Sequence, residues 1–558
     1  MQMAEHRGAW LKLGLALFLL NLALTLQNVW PTPWVTTHHK FSLEIALLLL
    51  ALTLYAELRR PPAQRLVGWL AVGLTLLTLG RYAQVTAPAL FGRPVNLYWD
   101  AQHLPGVAAM LAQATPAWLV LLSASGLVLL TGGLFLVLRW ALGRVWTALS
   151  ETAARRAQGA LAAGVVVLYL AAPALGLHTE RWFSRPVTPV YARQAGFLWT
   201  ALSGDGPEAA VTCTGLPASN LAGVAGADVL LVFLESYGAV SYDQPDLRAA
   251  LAASRERLAE AVQRTRRAAV SAFIESPTFG GSSWLAHSSL LAGVEVRDPQ
   301  TYQLLLTQQC DTLPDRFARQ GYRSLALMPG LRYAWPEGDF YGFEKIYDAR
   351  ALAYQGPEFG WWRIPDQYAV ARFDQLEVAT APRQPLFVFY PTISSHLPFR
   401  PTPPYQADWA RMLTQQAFEP RTLEASLART ADWTNLGPAY IDALSYSFTW
   451  LAGYLEQHAT ADLVLIVLGD HQPPATVSGA DAPWEVPVHV ITHRAGILAP
   501  LQAAGLQPGL EPGRPALGRM HELTALLLRA FDSARGSSRQ TSGGSGSTSL
   551  LPGPDLPG

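Results

Sequence analysis

Charge is scarce in this chain and balanced where it occurs. Charged residues make up 15%, and 41 Lys and Arg meet 41 Asp and Glu, for a formal net charge of zero. Such a balance offers no broad basic surface, so nucleic acid is excluded as a partner. Cysteine is scarcer still. The chain has two, Cys213 and Cys310, both after the last long apolar stretch. Two cysteines make no disulfide framework, and without a CxxC spacing nothing suggests cysteine-bound zinc. They either pair in an oxidising compartment or stay buried as thiols. No internal repeat is found.

Apolar residues are plentiful, at 50% of 558 positions, and they are unevenly spread. A chain of this length exceeds what one hydrophobic core organises, so at least two units are expected. Five apolar stretches have roughly spanning length: Leu11–Val29, Leu43–Leu58, Leu66–Leu79, Trp118–Leu138 and Ala160–Leu177. The second and third are short enough for an interfacial hairpin, but Arg59, Arg60 and the Pro61-Pro62 pair between them make a tight charged turn that favours two spans. No small-residue cleavage site follows the first stretch, which reads as an uncleaved anchor. Arg7, Lys12, Arg59, Arg60, Arg65, Arg139, Arg144, Arg155 and Arg156 fall on one side. The opposite loops carry Trp30, Trp34, Tyr98 and Trp99. Positive charge stays inside, so the N-terminus is expected in the cytoplasm and everything after about His178 outside. Asp100 and His103, in an outer loop, are weak candidates for contact with a lipid headgroup.

The expected organisation is a five-helix transmembrane domain at 1–178, a juxtamembrane linker at 179–227, an α/β domain at 228–535 and a disordered Gly/Ser/Pro-rich tail at 536–558. From Asp228 the pattern alternates. Val229–Leu234, Ala268–Ile274, Ser324–Met328, Pro385–Tyr390, Leu463–Leu468 and Val486–Thr492 read as strands. Gln244–Thr265, a segment from Ser283, Thr312–Gln320 and Tyr440–His458 read as helices. Alternation of this kind predicts a mostly parallel sheet with helices on both faces.

Three features carry chemistry. Strand Val229–Leu234 ends on Glu235, and strand Leu463–Leu468 runs into Gly469-Asp470-His471. In a parallel sheet both acids project from the carboxyl edge, and Asp and His suit a divalent ion such as zinc or manganese. The third feature is Gly280-Gly281-Ser282-Ser283, a flexible turn into a helix whose free amides favour an anionic phosphoryl or sulfuryl group. A serine there, with its hydroxyl pKa lowered by a metal, attacks phosphorus and forms a covalent adduct. Each feature alone has a plainer reading: Asp470 caps a turn, His471 packs, Glu235 marks the return to solvent and the serine is an N-cap.

Taken in order, Glu235, the Gly-Gly-Ser-Ser turn, His396 in Ser394-Ser-His-Leu-Pro-Phe399 and Gly469-Asp-His471 resemble the alkaline phosphatase/sulfatase superfamily. The branch is similar to membrane-anchored lipoteichoic acid synthases and phosphoethanolamine or phosphoglycerol transferases. Thr312–Tyr322, Gly342–Asp348 and Tyr440–Tyr446 look like further landmarks of that branch. The resemblance implies one divalent ion held by Glu235, a serine of the turn, Asp470 and His471. It implies that His396 contacts substrate or the transferred group. Members of the branch use threonine as nucleophile, and this chain departs from that. Alignment on Leu290–Gly293 favours Ser283, counting from the glycines favours Ser282, and Thr278 is a third candidate. Arg332, Tyr333 and Trp335 fall where the branch holds a headgroup. Sulfatases mature a residue within Cys/Ser-x-Pro-x-Arg; Trp-Leu-Ala-His follows Ser283, so a sulfate ester is not expected. His287 and His489 read as packed histidines. The implied activity is transfer of a phosphoryl-linked headgroup from a membrane lipid or lipid-linked donor to an envelope glycan or lipid, on the outer side of a bacterial inner membrane. Release of product to water and an inactive membrane-tethered binding domain are the alternatives.

Overall fold

The computed structural model describes residues 2–532 apart from 30–31, 38, 59–63, 92–94, 98–99, 102–103, 105–107, 109–115, 173, 175–178, 204–212, 214, 333–334, 361–363, 381 and 480. The tail expected at 536–558, His103 and Tyr333 lie outside the described residues.

Five long helices stand where the apolar stretches are: α1 (Gln2–Thr25), α2 (Leu43–Leu58), α3 (Gln64–Phe91), α4 (Ala117–Leu149) and α5 (Thr152–Ala171). They pack around Leu20, Leu49, Leu74 and Leu142, with α1 and α3 against α4, and α2 against α5. Among the described residues three helices, not five, are long and apolar enough to cross a membrane, within Gly8–Thr25, Arg65–Leu90 and Ala117–Leu149. The expected five spans are corrected accordingly. At about 1.5 Å per residue, α2 reaches about 24 Å, short of a hydrocarbon core of about 30 Å. The first turns of α5 carry Arg155, Arg156 and Gln158, which dilute its apolar half, and the end of the stretch expected at Ala160–Leu177 falls largely on residues not described.

The stretch 179–227 has more order than its composition suggests. It contains α6 (Thr188–Ser203). The Glu44 carboxylate at the start of α2 accepts from the amides of Val187, at 2.9 Å, and Thr188, at 2.6 Å, and so ties the linker to the bundle. Cys213 and Cys310 are joined as a disulfide with Cα atoms 5.5 Å apart, which settles the alternative left open by the sequence.

Beyond a small hairpin of β1 (Leu26–Asn28) and β2 (Val35–Thr37), the strands form one sheet. These are β3 (Asp228–Leu234), β4 (Ala268–Glu275), β5 (Arg323–Leu327), β6 (Lys345–Tyr347), β7 (Leu386–Pro391), β8 (Leu463–Gly469), β9 (Glu485–Thr492) and β10 (Gln507–Pro508). Their order is β10-β4-β9-β8-β3-β7-β5-β6. Pairings β8-β3, β3-β7, β7-β5 and β5-β6 are parallel. Two strands run the other way: β9, antiparallel to both β8 and β4, and the short edge strand β10, antiparallel to β4. The loop after Asp470 comes back to the edge where β8 ended, so β9 has to run the other way. The sequence reading lacks β6 and β10, which have three and two residues and too little length for a periodicity.

Strand β3 shows why the sheet is central. Leu230, Val232 and Leu234 join one apolar core, while Val229, Leu231 and Phe233 join the other. Period-two alternation with both faces covered gives an unbroken apolar run, and each fully buried side chain contributes roughly 1.5–3 kcal/mol. Helices α7 (Pro245–Arg264) and α9 (Gly437–Gln457) pack together over one face, while α8 (Ser283–Ala292) and α10 (Met520–Ala530) cover the other.

Candidate metal centre

Strand register brings the two acids together. Leu234 of β3 pairs with Gly469 of β8, so Glu235 and Asp470 are the next residues out on neighbouring parallel strands. The chain can sit this closely only because residue 469 is glycine. A Cβ there would lie 1.8 Å from the Tyr237 carbonyl oxygen, which is backbone and cannot swing away. Gly469→Ala is expected to force the two strand ends apart, lowering stability by at least about 2 kcal/mol as overpacked sites do, with loss of metal affinity. Thermal unfolding and metal titration of the variant check this.

Glu235, Asp470 and His471 are all buried, and their ligand atoms lie within 4.8 Å of one another. His471 Nδ1 donates to the Gln472 carbonyl at 2.7 Å, which turns Nε2 into the cluster. Nε2 is 3.4 Å from Glu235 Oε1 and 3.6 Å from Asp470 Oδ2. The other Asp470 oxygen accepts from the amides of Ser236, at 2.8 Å, and His471, at 2.7 Å. Ser236 adopts a left-handed φ of 59° to do so, a local strain of the kind that marks functional sites.

The fourth arm comes from β4. After Glu275 the Ser276 hydroxyl donates to the Asp470 carbonyl at 2.5 Å, and the Gly280 amide donates to the Gln472 carbonyl at 3.1 Å. Gly280 and Gly281 take φ values of 66° and 143°, which a residue with a Cβ rarely adopts. The turn delivers Ser283 as the first residue of α8. Its Oγ lies 3.2 Å from Glu235 Oε2 and 3.2 Å from His471 Nε2. Ser282 takes a left-handed φ of 64°, and its side chain forms no capping hydrogen bond. The Thr278 hydroxyl is engaged with the Gly281 carbonyl at 2.6 Å, inside the turn.

These donors fit a divalent ion. Ligand bonds of about 2.1 Å in a tetrahedron put donors about 3.4 Å apart, and the separations above fall at 3.2–3.6 Å. The charges point the same way. Burial works against ionised Glu235, but the hydrogen bond and charge of His471, with His396 behind, hold its carboxyl well below the usual range. Burial and the Glu235 charge push Asp470 up to about 8. Burial lowers His471, yet Asp470 and Glu235 outweigh it and raise the imidazole to about 9. Two acids forced together around one imidazole hold protons where a cation would replace them.

The chain is similar to solved structures of the alkaline phosphatase superfamily and its membrane-anchored transferases. The integral membrane lipooligosaccharide phosphoethanolamine transferase A (EptA) from Neisseria meningitidis matches at 13% identity over 88% of this chain and 88% of that one, with a TM-score of 0.47. Phosphoglycerol transferase GacH from Streptococcus pyogenes, in complex with sn-glycerol-1-phosphate, matches at 12% identity over 57% of this chain and 78% of that one, with a TM-score of 0.34. Lipoteichoic acid synthase LtaP from Listeria monocytogenes matches at 14% over 56% and 76%, with a TM-score of 0.33. No family model matches the chain, and no curated protein does. At such identities and scores, a functional reading has to stand on the site itself.

His396 is half-buried and near enough for its charge to act on Glu235, its Nδ1 2.8 Å from the Leu397 carbonyl. Trp335 stacks on Tyr341 at 5.5 Å, and the Tyr341 hydroxyl meets Ser288 of α8 at 2.7 Å. Arg332 is exposed and lines a cavity of about 270 Å³ with Arg350 and Glu358. His287 packs edge-on against Phe233, at 4.6 Å, and Phe389, at 5.3 Å, and burial pushes it down to about 3. His489 bridges Ser271, at 2.6 Å, and Tyr237, at 3.0 Å, and is likewise pushed down to about 3 by burial. Both are neutral packing residues. Sequence reasoning missed Thr392 and Ser395. The Thr392 hydroxyl accepts from the Glu235 amide at 3.1 Å, and the Ser395 hydroxyl donates to the Glu235 carbonyl at 2.7 Å. Ser395 had a signal in the Ser394-Ser-His396 run, which directed attention to the histidine alone; Thr392 lies outside that run.

Proposed function

We propose that this chain is a membrane-anchored transferase of phosphoryl-linked headgroups that works through Ser283 and one divalent ion, zinc or manganese. Glu235, Asp470, His471 and the Ser283 hydroxyl would hold the ion. The observation that carries the reading is the Ser283 Oγ placed 3.2 Å from both Glu235 and His471 at a helix N-terminus. Bound there, the ion supplies positive charge that lowers the pKa of the hydroxyl and offsets charge on the transferred group. Ser283 attacks the phosphorus of a lipid headgroup, the bond to the lipid oxygen breaks and that oxygen leaves with a proton. The free amides at the start of α8 face the transferred anion. His396 contacts that anion from the Pro-Phe loop. An acceptor hydroxyl, on an envelope glycan or lipid, then displaces Ser283. Arg332 and Trp335 are assigned, on the resemblance alone, to the headgroup.

Placement supports a lipid donor. The short helix Ala475–Ser478, just after His471 in the chain, packs on α3, so the site adjoins the membrane bundle. On the charge pattern, the basic N-terminal end lies on the cytoplasmic side and the α/β domain outside. The test uses the full-length protein in vesicles of phosphatidylglycerol and phosphatidylethanolamine, with zinc or manganese. Expected are diacylglycerol release and a headgroup-phosphate adduct on the peptide containing Ser283, read by mass spectrometry. No diacylglycerol with either lipid and either ion would sink the reading. Adduct formation with release only to water would make the protein a hydrolase.

A further inference from the structure

We propose that Asp366 is the positioning residue for His396, its carboxylate fixing the turn on which that histidine stands. What His396 does there rests on the transfer reading above; the lock itself does not. Asp366 is fully buried at the first position of the helix Asp366–Phe373, with Pro365 as its N-cap. One carboxylate oxygen accepts from the Ile393 amide at 2.9 Å, and the other from the Ser394 amide at 2.9 Å. Its own amide donates to the Ser394 hydroxyl at 3.2 Å, and the Tyr390 hydroxyl donates to its carbonyl at 3.0 Å. Every one of these partners lies between Tyr390 and Ser394, in the segment that leaves β7 and enters the histidine turn.

The same turn has a second side. The His396 amide donates back to the Ile393 carbonyl at 3.0 Å, which closes the turn. Thr392 and Ser395 hold the Glu235 backbone from its outer flank. Asp366 thus grips one side of a six-residue loop whose other side seats a metal-cluster residue and whose end carries His396. Packing alone does not account for an acid here. Burial pushes its carboxyl up to about 6 against the pull of the two amides, and an uncharged residue would fill the core without that opposition. A carboxylate offers a separate acceptor oxygen to each of the two successive amides, with no donor to turn toward either. The hydroxyls of Tyr390, which donates to Asp366, and of Tyr446, which accepts from the Gln367 amide, are pushed well above the usual phenol range by burial, so both stay neutral.

Asp366→Asn tests the lock, because asparagine keeps the shape but turns an N–H toward one of the amides. Hydrogen exchange across residues 391–396 is expected to speed by at least about tenfold, and kcat/KM to fall roughly tenfold to a hundredfold. Metal content is expected to stay at the wild-type value. In a His396→Ala background the same change is expected to cost less than about twofold more, since both act through one group. Unchanged exchange, or costs that multiply in the double variant, would overturn the proposal. Ser394→Ala, which removes only the acceptor for the Asp366 amide, gives a milder second variant with the same expected non-additivity. If the wild-type protein turns over no lipid, the transfer reading falls and exchange alone decides the lock.

Discussion

Ser283→Ala is expected to abolish headgroup transfer, with a loss of at least about a thousandfold in kcat, the scale on which nucleophile removal acts. The protein should stay folded. Ser283 is only half-buried at the first turn of α8, and alanine differs from it only by the hydroxyl. It should also keep its ion, because Glu235, Asp470 and His471 remain and converge without it. Ser282→Ala is the matching control. Serine and alanine both carry a Cβ at that left-handed φ, and the Ser282 hydroxyl caps nothing, so a change of less than about threefold is expected. Kinetics on both variants, with metal content by mass spectrometry, decide the matter. Should Ser282→Ala be the inactive one, the nucleophile moves by one residue.

Much of this site was legible because its residues sit where apolar strands stop. A run such as Val229–Leu234 says by itself that it is buried on both faces, and an acid directly after it has one place to go. Parallel pairing then makes Glu235 and Asp470 neighbours, and brings the Ser236 amide onto Asp470 across 234 positions of sequence. The sequence could not choose between Ser282 and Ser283. That choice depends on the φ of residue 282, which two preceding glycines leave free. Asp366 left no trace at all. An acid after a proline reads as an ordinary helix start, and the amides it satisfies lie 27 and 28 residues away. The short strands β6 and β10 were missed for lack of length. The membrane half shows the opposite failure. Hydropathy located all five helices, but it overcounted spans because α2 is too short and α5 begins on polar turns.

Withdrawing the ion is expected to abolish activity and to leave a protein whose stability falls as pH rises. The sign follows from the cluster. His471 is raised to about 9 in the folded protein from an ordinary value near 6.5, so its contribution is complete below about 6.5 and is lost as pH climbs through 9. Asp470 at about 8 lies above its ordinary 3.8, so the folded state holds a proton that the unfolded chain has released, and stability drops across that interval. Glu235 is depressed and keeps its contribution above its ordinary value, so it opposes neither loss between pH 6 and 9. With the ion bound, the ligands are already deprotonated and this slope should vanish. At a hundredfold excess over its dissociation constant, the ion stabilises by about 2.7 kcal/mol, worth several degrees in Tm for a domain of this size. The gap between chelated and metal-loaded Tm should therefore widen from pH 6 to pH 8.5. Asp470→Asn should remove most of the gap together with turnover. A gap that is absent, or that narrows as pH rises, would mean that Glu235, Asp470 and His471 share protons and nothing more.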